Sequence, residues 1–142
     1  MQQGTIVNLH LAPPNRTLIQ PVQQITAVSC EGLEGDRHCN ERNVRQVLLM
    51  DKETLDELEL EPGQIKENVT TIGLDLSQTQ AGQVFFIGDE VTMEIVGECK
   101  PCDRMNAIRP GLREVLAYRR GMLATVINGG PIKVGDSIRV EP

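Results

Sequence analysis

The stretch Val84-Phe85-Phe86-Ile87-Gly88-Asp89-Glu90-Val91-Thr92-Met93-Glu94-Ile95-Val96 places a Gly-Asp pair between two apolar runs. Ile132–Asp136 with Ser137–Val140 repeats that arrangement around Gly135-Asp136. Glycine accepts the positive φ of a tight hairpin or bulge without a steric clash, so both corners predict short strands that turn sharply. Other strand signals flank them: Thr5–Leu11, ending at Pro13-Pro14, then Val22–Val28, Asn68–Ile72 and Met122–Ile127, the last closed by Asn128-Gly129-Gly130-Pro131. Gln46–Met50 is a short run with continuous apolar character, which predicts a strand buried on both faces.

Helical signals are brief. Asp51 is placed as an N-cap, with Thr54 and Glu57 following and Pro62-Gly63 as the stop. Pro101–Ile108 and Leu112–Tyr118 read as two short helices broken by Pro110-Gly111. Glu31–Asn43 is read as a polar loop, long enough for an ordered functional segment. Many short strands, frequent Gly and Pro turns and only short helices predict a mainly β (α+β) fold, a closed or nearly closed β-barrel. The 142 residues fit one domain, 1–142, with no linker.

Phe85, Phe86 and Tyr118 are the only aromatic residues, so the core is expected to be aliphatic. Acidic residues outnumber basic ones, 20 to 14, for a net charge of -6. A surface of that sign repels phosphate backbones and argues against nucleic acid as partner. Any anionic ligand must then meet a local basic pocket. The start of the chain lacks a signal-peptide pattern and no apolar run approaches a bilayer span, so the expectation is a cytoplasmic protein away from the membrane. In a reducing compartment, Cys30, Cys39, Cys99 and Cys102 are expected as thiols.

The strongest chemical signal is Cys99-Lys100-Pro101-Cys102, placed after a strand and before a helix. A thiol at a helix N-terminus faces free N–H groups that favour thiolate, and Lys100 and Arg104 add positive charge. Thiolate is the form that attacks sulfur and ligates soft metals; two ordinary buried cysteines are the plain alternative. A thioredoxin-like reading requires a βαβ context that the chain lacks. A structural zinc site usually joins two close-spaced pairs, and the eight residues between Cys30 and Cys39 depart from that pattern. The loop Gly32-Leu33-Glu34-Gly35-Asp36-Arg37-His38 offers acid, cation and imidazole in a row, though Gly-Asp also simply shapes turns. Lys66-Glu67-Asn68 puts a cation and an amide two apart, on one side of an extended chain. Arg119-Arg120-Gly121 sets cations beside a glycine, suited to phosphate or exposed.

In order, Gly-Asp-x-His at 35–38, Arg45-Gln46-Val47, Glu67-Asn68-Val69-Thr70, Gly73, Pro101-Cys102, Gly121 and Gly129-Gly130-x-x-x-x-Gly135-Asp136 resemble the MOSC domain, named for the C-terminal domain of molybdenum-cofactor sulfurases. The resemblance runs from about Gly4 to Val140. It implies a β-barrel centred on one cysteine, matched here by Cys102, which serves as molybdenum ligand or sulfur acceptor. It also implies cofactor contacts from Asn68, Lys66, Arg37 and His38, with Lys100 and Arg119 as further cations. The activities implied are reduction of N-hydroxylated substrates with an electron-donor reductase, or persulfide carriage from a desulfurase. In the second case pyridoxal phosphate works on the partner protein. A dithiol redox or binding module using Cys99 and Cys102 is a third reading.

Overall fold

The computed structural model describes residues 2–14, 18–117 and 119–141. Its strands are β1 (Gln2–Leu11), β2 (Gln20–Val22), β3 (Gln24–Val28), β4 (Gly32–Leu33), β5 (Val47–Asp51), β6 (Val69–Ile72), β7 (Val84–Ile87), β8 (Val91–Glu98), β9 (Met122–Asn128), β10 (Gly130–Lys133) and β11 (Ser137–Val140). Helices α1 (Lys52–Glu57), α2 (Arg104–Ile108) and α3 (Leu112–Val115) are short, and a 3-10 turn covers Leu76–Gln78.

Seven strands run in the order β11-β7-β8-β9-β5-β6-β1, and pairing of β1 with β11 closes them into a barrel, with β2 appended to β1. The β5–β6 pair is parallel, while the other pairs are antiparallel. A smaller sheet, β10-β3-β4, lies beside the barrel. Closure removes the unpaired edges that an open sheet of this length would present.

The two Gly-Asp corners do different jobs. Gly88, at φ 56°, joins β7 to β8 as an antiparallel hairpin. Gly135-Asp136 instead carries the chain between sheets, because β10 pairs with β3 and β11 pairs with β7 and β1. Asp136 Oδ2 accepts from the Lys133 N–H at 2.9 Å, and the Asp136 carbonyl accepts from the Ile6 N–H at 2.9 Å, tying this corner to β1. The repeat in the sequence reflects a shared sharp turn, not a shared pairing.

The expected Val22–Val28 strand divides into β2 and β3, which belong to different sheets. The Glu31–Asn43 segment is not polar throughout its packing, since β4 lies inside it and Leu33 is fully buried. Asp51 caps α1 as expected, accepting from the Thr54 N–H at 3.0 Å. The second predicted helix is shorter: α2 begins at Arg104, and the Asp103 side chain pairs with Arg113 and does not cap the helix backbone. α3 ends at Val115, and Tyr118 lies outside the described residues.

Inside the barrel, Ile6, Leu9, Val47, Leu49, Phe85, Ile87, Met93 and Ile95 pack an almost entirely aliphatic core. Val47 and Leu49 point inward. One residue along, Met50 lies in a second cluster with Leu55, Leu60, Ile65, Met105, Leu112 and Leu116. Strand side chains alternate between faces, so β5 is buried twice: by the barrel within and by the helices outside. Each such aliphatic side chain contributes about 1.5–3 kcal/mol. The small helices therefore form a cap on the outer wall of β5.

Candidate functional site

Next to that cap, a cleft of about 530 Å3 opens between the barrel wall, α2 and the loop after β4. Arg37, His38, Lys66, Asn68 and Cys102 all line it, although they lie far apart in the chain. Lys100 does not; it lines an adjoining groove with Arg113 and Glu114, and Cys99 borders both depressions. Arg119 also departs from the expectation, because its guanidinium pairs with Glu57 and it borders a groove on another side.

Arg45, Arg104 and Arg120 complete the cationic lining. With Arg37 and Lys66 they make five cations, and among the described residues no Asp or Glu side chain lines the cleft. Arg120 is the unusual member. It is only 7% exposed, and its Nη1 has no hydrogen-bond partner among the described residues. A buried guanidinium nitrogen without an acceptor is costly unless something else answers its charge. Glu67 gives a partial answer from below: it is fully buried, and the Arg120 charge acts on it without direct pairing. Burial pushes the Glu67 carboxyl above the ordinary carboxylate range, opposed by bonds from the Gly63 N–H, its own backbone and Thr70, and by Arg120. Gly121, at φ 102°, lets the backbone touch β5, where an added Cβ would come within 2.3 Å of the Leu49 carbonyl. The Gly121 carbonyl also accepts from the Cys99 N–H at 2.8 Å.

On the opposite lip, Asp36 ties the loop to the barrel. Its buried carboxylate accepts from the Ala12 N–H at 2.8 Å, the His38 N–H at 3.1 Å and the Asn68 Nδ2 at 3.2 Å. The His38 Nδ1 lies 3.2 Å from Asp36 Oδ2. Burial alone would raise the Asp36 pKa, but the bonds from His38 and Ala12 and the charge of His38 hold it below its usual value. His38 is half-exposed, so its ring is oriented from behind while the other nitrogen remains available. Asn68 serves the frame: its Oδ1 accepts from the Leu48 N–H at 3.0 Å, and its Nδ2 also donates to the His10 carbonyl at 3.1 Å. Lys66 and Asn68 do share the cleft, but not through an extended chain. Lys66 has φ 71°, a left-handed conformation that costs a non-glycine residue about 1–2 kcal/mol.

Cys102 is exposed at the rim, and its carbonyl accepts from the Met105 N–H at 3.0 Å. It precedes the first residue of α2 by two positions, and α2 is five residues long. The positive surroundings of the thiol thus come from the arginines, not from a substantial helix dipole. Burial raises the Cys99 thiol above its ordinary range; Arg120 opposes this, Cys102 adds to it and Arg45 opposes it. Cys30 lies in the turn between β3 and β4 and Cys39 on the loop between β4 and β5; neither lines the cleft, and all four cysteines are free. Among the described residues, no three His, Cys, Asp or Glu side chains gather as a metal-binding group.

The family model described as the MOSC domain matches residues 20–139. The chain belongs to the MOSC family. Several solved structures share the MOSC fold. The YuaD protein from Bacillus subtilis superposes with a TM-score of 0.81 at 18% identity, covering 97% of this chain and 95% of that one. YiiM from Escherichia coli gives 0.74 at 17% identity, over 100% of this chain and 71% of its own. YiiM from Geobacillus stearothermophilus gives 0.70 at 18%, over 98% and 73%. No curated protein matches this MOSC chain by sequence. The expected fold is therefore confirmed: a closed barrel with three short helices. No helix among the described residues is long and apolar enough to cross a membrane.

The sequence marks Arg104 as a cation beside Cys102 and the Arg119-Arg120 pair as suited to phosphate, and Arg45 only as part of a motif; all but Arg119 line the cleft. Arg119 and Arg120 are identical neighbours, and only the packing decides which one turns inward.

Proposed function

We propose that this cleft binds the molybdenum cofactor through Cys102 and acts on N-hydroxylated substrates. The observation that carries the reading is a thiol set among five cations, without a carboxylate in the lining among the described residues, on a protein of net charge -6. A dithiolene-bound metal accepts a further soft thiolate ligand, and a pterin phosphate requires cations. The buried Nη1 of Arg120, without a partner among the described residues, leaves positive charge unanswered beside the cleft, so the residues present suit an anionic group. When bound, the cofactor supplies two-electron oxygen-transfer chemistry.

The chain's own residues do the rest. Cys102 offers the ligand sulfur at the rim, and Arg37, Arg45, Lys66, Arg104 and Arg120 hold negative charge around it. Reduction of an N–OH group to N–H consumes two electrons and two protons and releases water. The electrons come from a separate reductase. His38 is positioned to hold a proton for the departing hydroxyl, because Asp36 fixes Nδ1 and leaves Nε2 free.

The test is metal and pterin analysis of protein produced with cofactor synthesis intact. Wild type is expected to carry stoichiometric molybdenum, Cys102→Ala background levels only, and Arg45→Met/Arg120→Met about tenfold less than wild type. Metal-free wild type under these conditions overturns the reading.

Exposure of Cys102 favours one alternative, a persulfide carrier served by a pyridoxal-phosphate desulfurase on another protein. In that case incubation with a desulfurase and cysteine adds one sulfur to Cys102, seen by mass spectrometry. Equal sulfur uptake by Cys102→Ala eliminates it.

A further inference from the structure

The role of Cys99 follows from neither reading, yet its position is specific. It borders the same cleft as Cys102, three residues away in the chain. Both ends of the intervening segment are anchored. The Cys99 N–H is held by the Gly121 carbonyl at 2.8 Å, and the Cys102 carbonyl by the Met105 N–H at 3.0 Å. Exposure divides them: Cys102 is open to solvent, and Cys99 is partly covered. Arg45 and Arg120 bear on Cys99 with positive charge, which stabilises negative charge developing on its sulfur.

We propose that Cys99 is a resolving thiol, which captures Cys102 as an intramolecular disulfide once a peroxide has oxidised it. In the first step the Cys102 thiolate attacks an oxygen of hydrogen peroxide. An S–O bond forms, the O–O bond breaks and the departing hydroxide takes a proton from solvent to become water. Cys102 loses two electrons and becomes a sulfenic acid, while the peroxide is reduced. In the second step the Cys99 sulfur attacks the Cys102 sulfur. The S–S bond forms, the S–O bond breaks and the leaving oxygen departs as water with the Cys99 proton. Cys102 is open to solvent and Cys99 is partly covered, so the peroxide meets Cys102 first and the covered thiol answers. A dithiol reductant reverses the bond. The disulfide protects Cys102 from irreversible over-oxidation. It also withdraws that sulfur from any ligand in the cleft, a consequence that rests on the function proposed above, whereas the bond itself does not.

The test uses the purified, reduced, metal-free chain at high dilution, treated with hydrogen peroxide and mapped by mass spectrometry. Wild type is expected to lose two hydrogens and yield a Cys99–Cys102 linked peptide. In Cys99→Ser, Cys102 is expected to accumulate sulfenic acid, trapped by dimedone, and then sulfinic acid. In Cys102→Ser the linkage is absent and Cys99 oxidises about tenfold more slowly than Cys102 does in wild type. A second arm compares molybdenum loading of reduced and pre-oxidised wild type, with about a tenfold loss expected on oxidation and recovery after dithiothreitol. The proposal is overturned if wild-type Cys102 passes to sulfinic acid as readily as in Cys99→Ser, or if it links to Cys30, Cys39 or a second chain instead. Failure of reduced wild type to load metal sinks the cofactor reading alone, because the peptide map is independent of it.

Discussion

Cys39 and Cys99 are both free, partly buried cysteines, yet their surroundings have opposite charge. After burial, the groups acting on Cys39 are Glu31, Asp36 and Glu34, all of which oppose thiolate. Those acting on Cys99 include Arg120 and Arg45, which favour it. The acidic loop and the basic cleft are adjacent, with Asp36 at their boundary. The larger groove elsewhere on the barrel, about 720 Å3, has Asp51, Asp75 and Glu98 in its lining. Size therefore does not mark the site. What marks the candidate site is a local reversal of the sign that the rest of the molecule carries.

The largest effect expected from this contrast is kinetic. A dianionic aromatic disulfide reagent at low salt is expected to modify Cys102 about 10- to 100-fold faster than Cys39, with each site followed by peptide mapping. Salt near 0.5 M should shrink the ratio several-fold, because the Debye length falls to a few ångströms, roughly the scale of one side chain. Equal rates at low salt would break the comparison.

The boundary residue gives the next effect. Asp36→Asn places an amide where a buried carboxylate collects bonds from Ala12, His38 and Asn68, and is expected to destabilise the fold by about 2 kcal/mol in denaturant melts. Its pH signature is also defined. The folded Asp36 pKa is lowered, so its stabilisation is present above the ordinary aspartate range and disappears as pH falls through the lowered value. The variant should therefore show a flatter acid limb than wild type; an identical limb would remove Asp36 from the frame.

Glu67, beneath the cleft, has the opposite sign and the smallest effect. Its raised folded pKa means that protonation favours the folded state. That contribution is complete below the ordinary glutamate range and is lost as pH rises through the raised value. Glu67→Gln is expected to abolish this decline while changing stability at pH 4 by less than about 1 kcal/mol. A decline that survives in the variant would assign it to another group.

Much of the fold was legible because it depends on local pattern. The Gly-Asp corners, the apolar run at Gln46–Met50 and the Asp51 cap each act within a few residues. The split of Val22–Val28 into two strands was not legible, since Gln23 separates partners that belong to different sheets. In the site, Cys102, His38, Arg37 and Lys66 were gathered from their motifs and share one cleft. Lys100 was placed with them by adjacency to Cys102, but the chain directs it to the neighbouring groove. Asn68 was read as a ligand contact, and the fold also gives its amide three protein partners.

The order of residues was sufficient to specify which chemical groups exist, where the chain must turn and which runs seek burial, because those properties reside in single side chains and their near neighbours. Which of two adjacent arginines faces inward, which of two identical corners pairs its strands, and which thiols share a field were settled only when the barrel closed. Such choices depend on groups distant in the chain and close in space, and electrostatics and packing respond to the second distance.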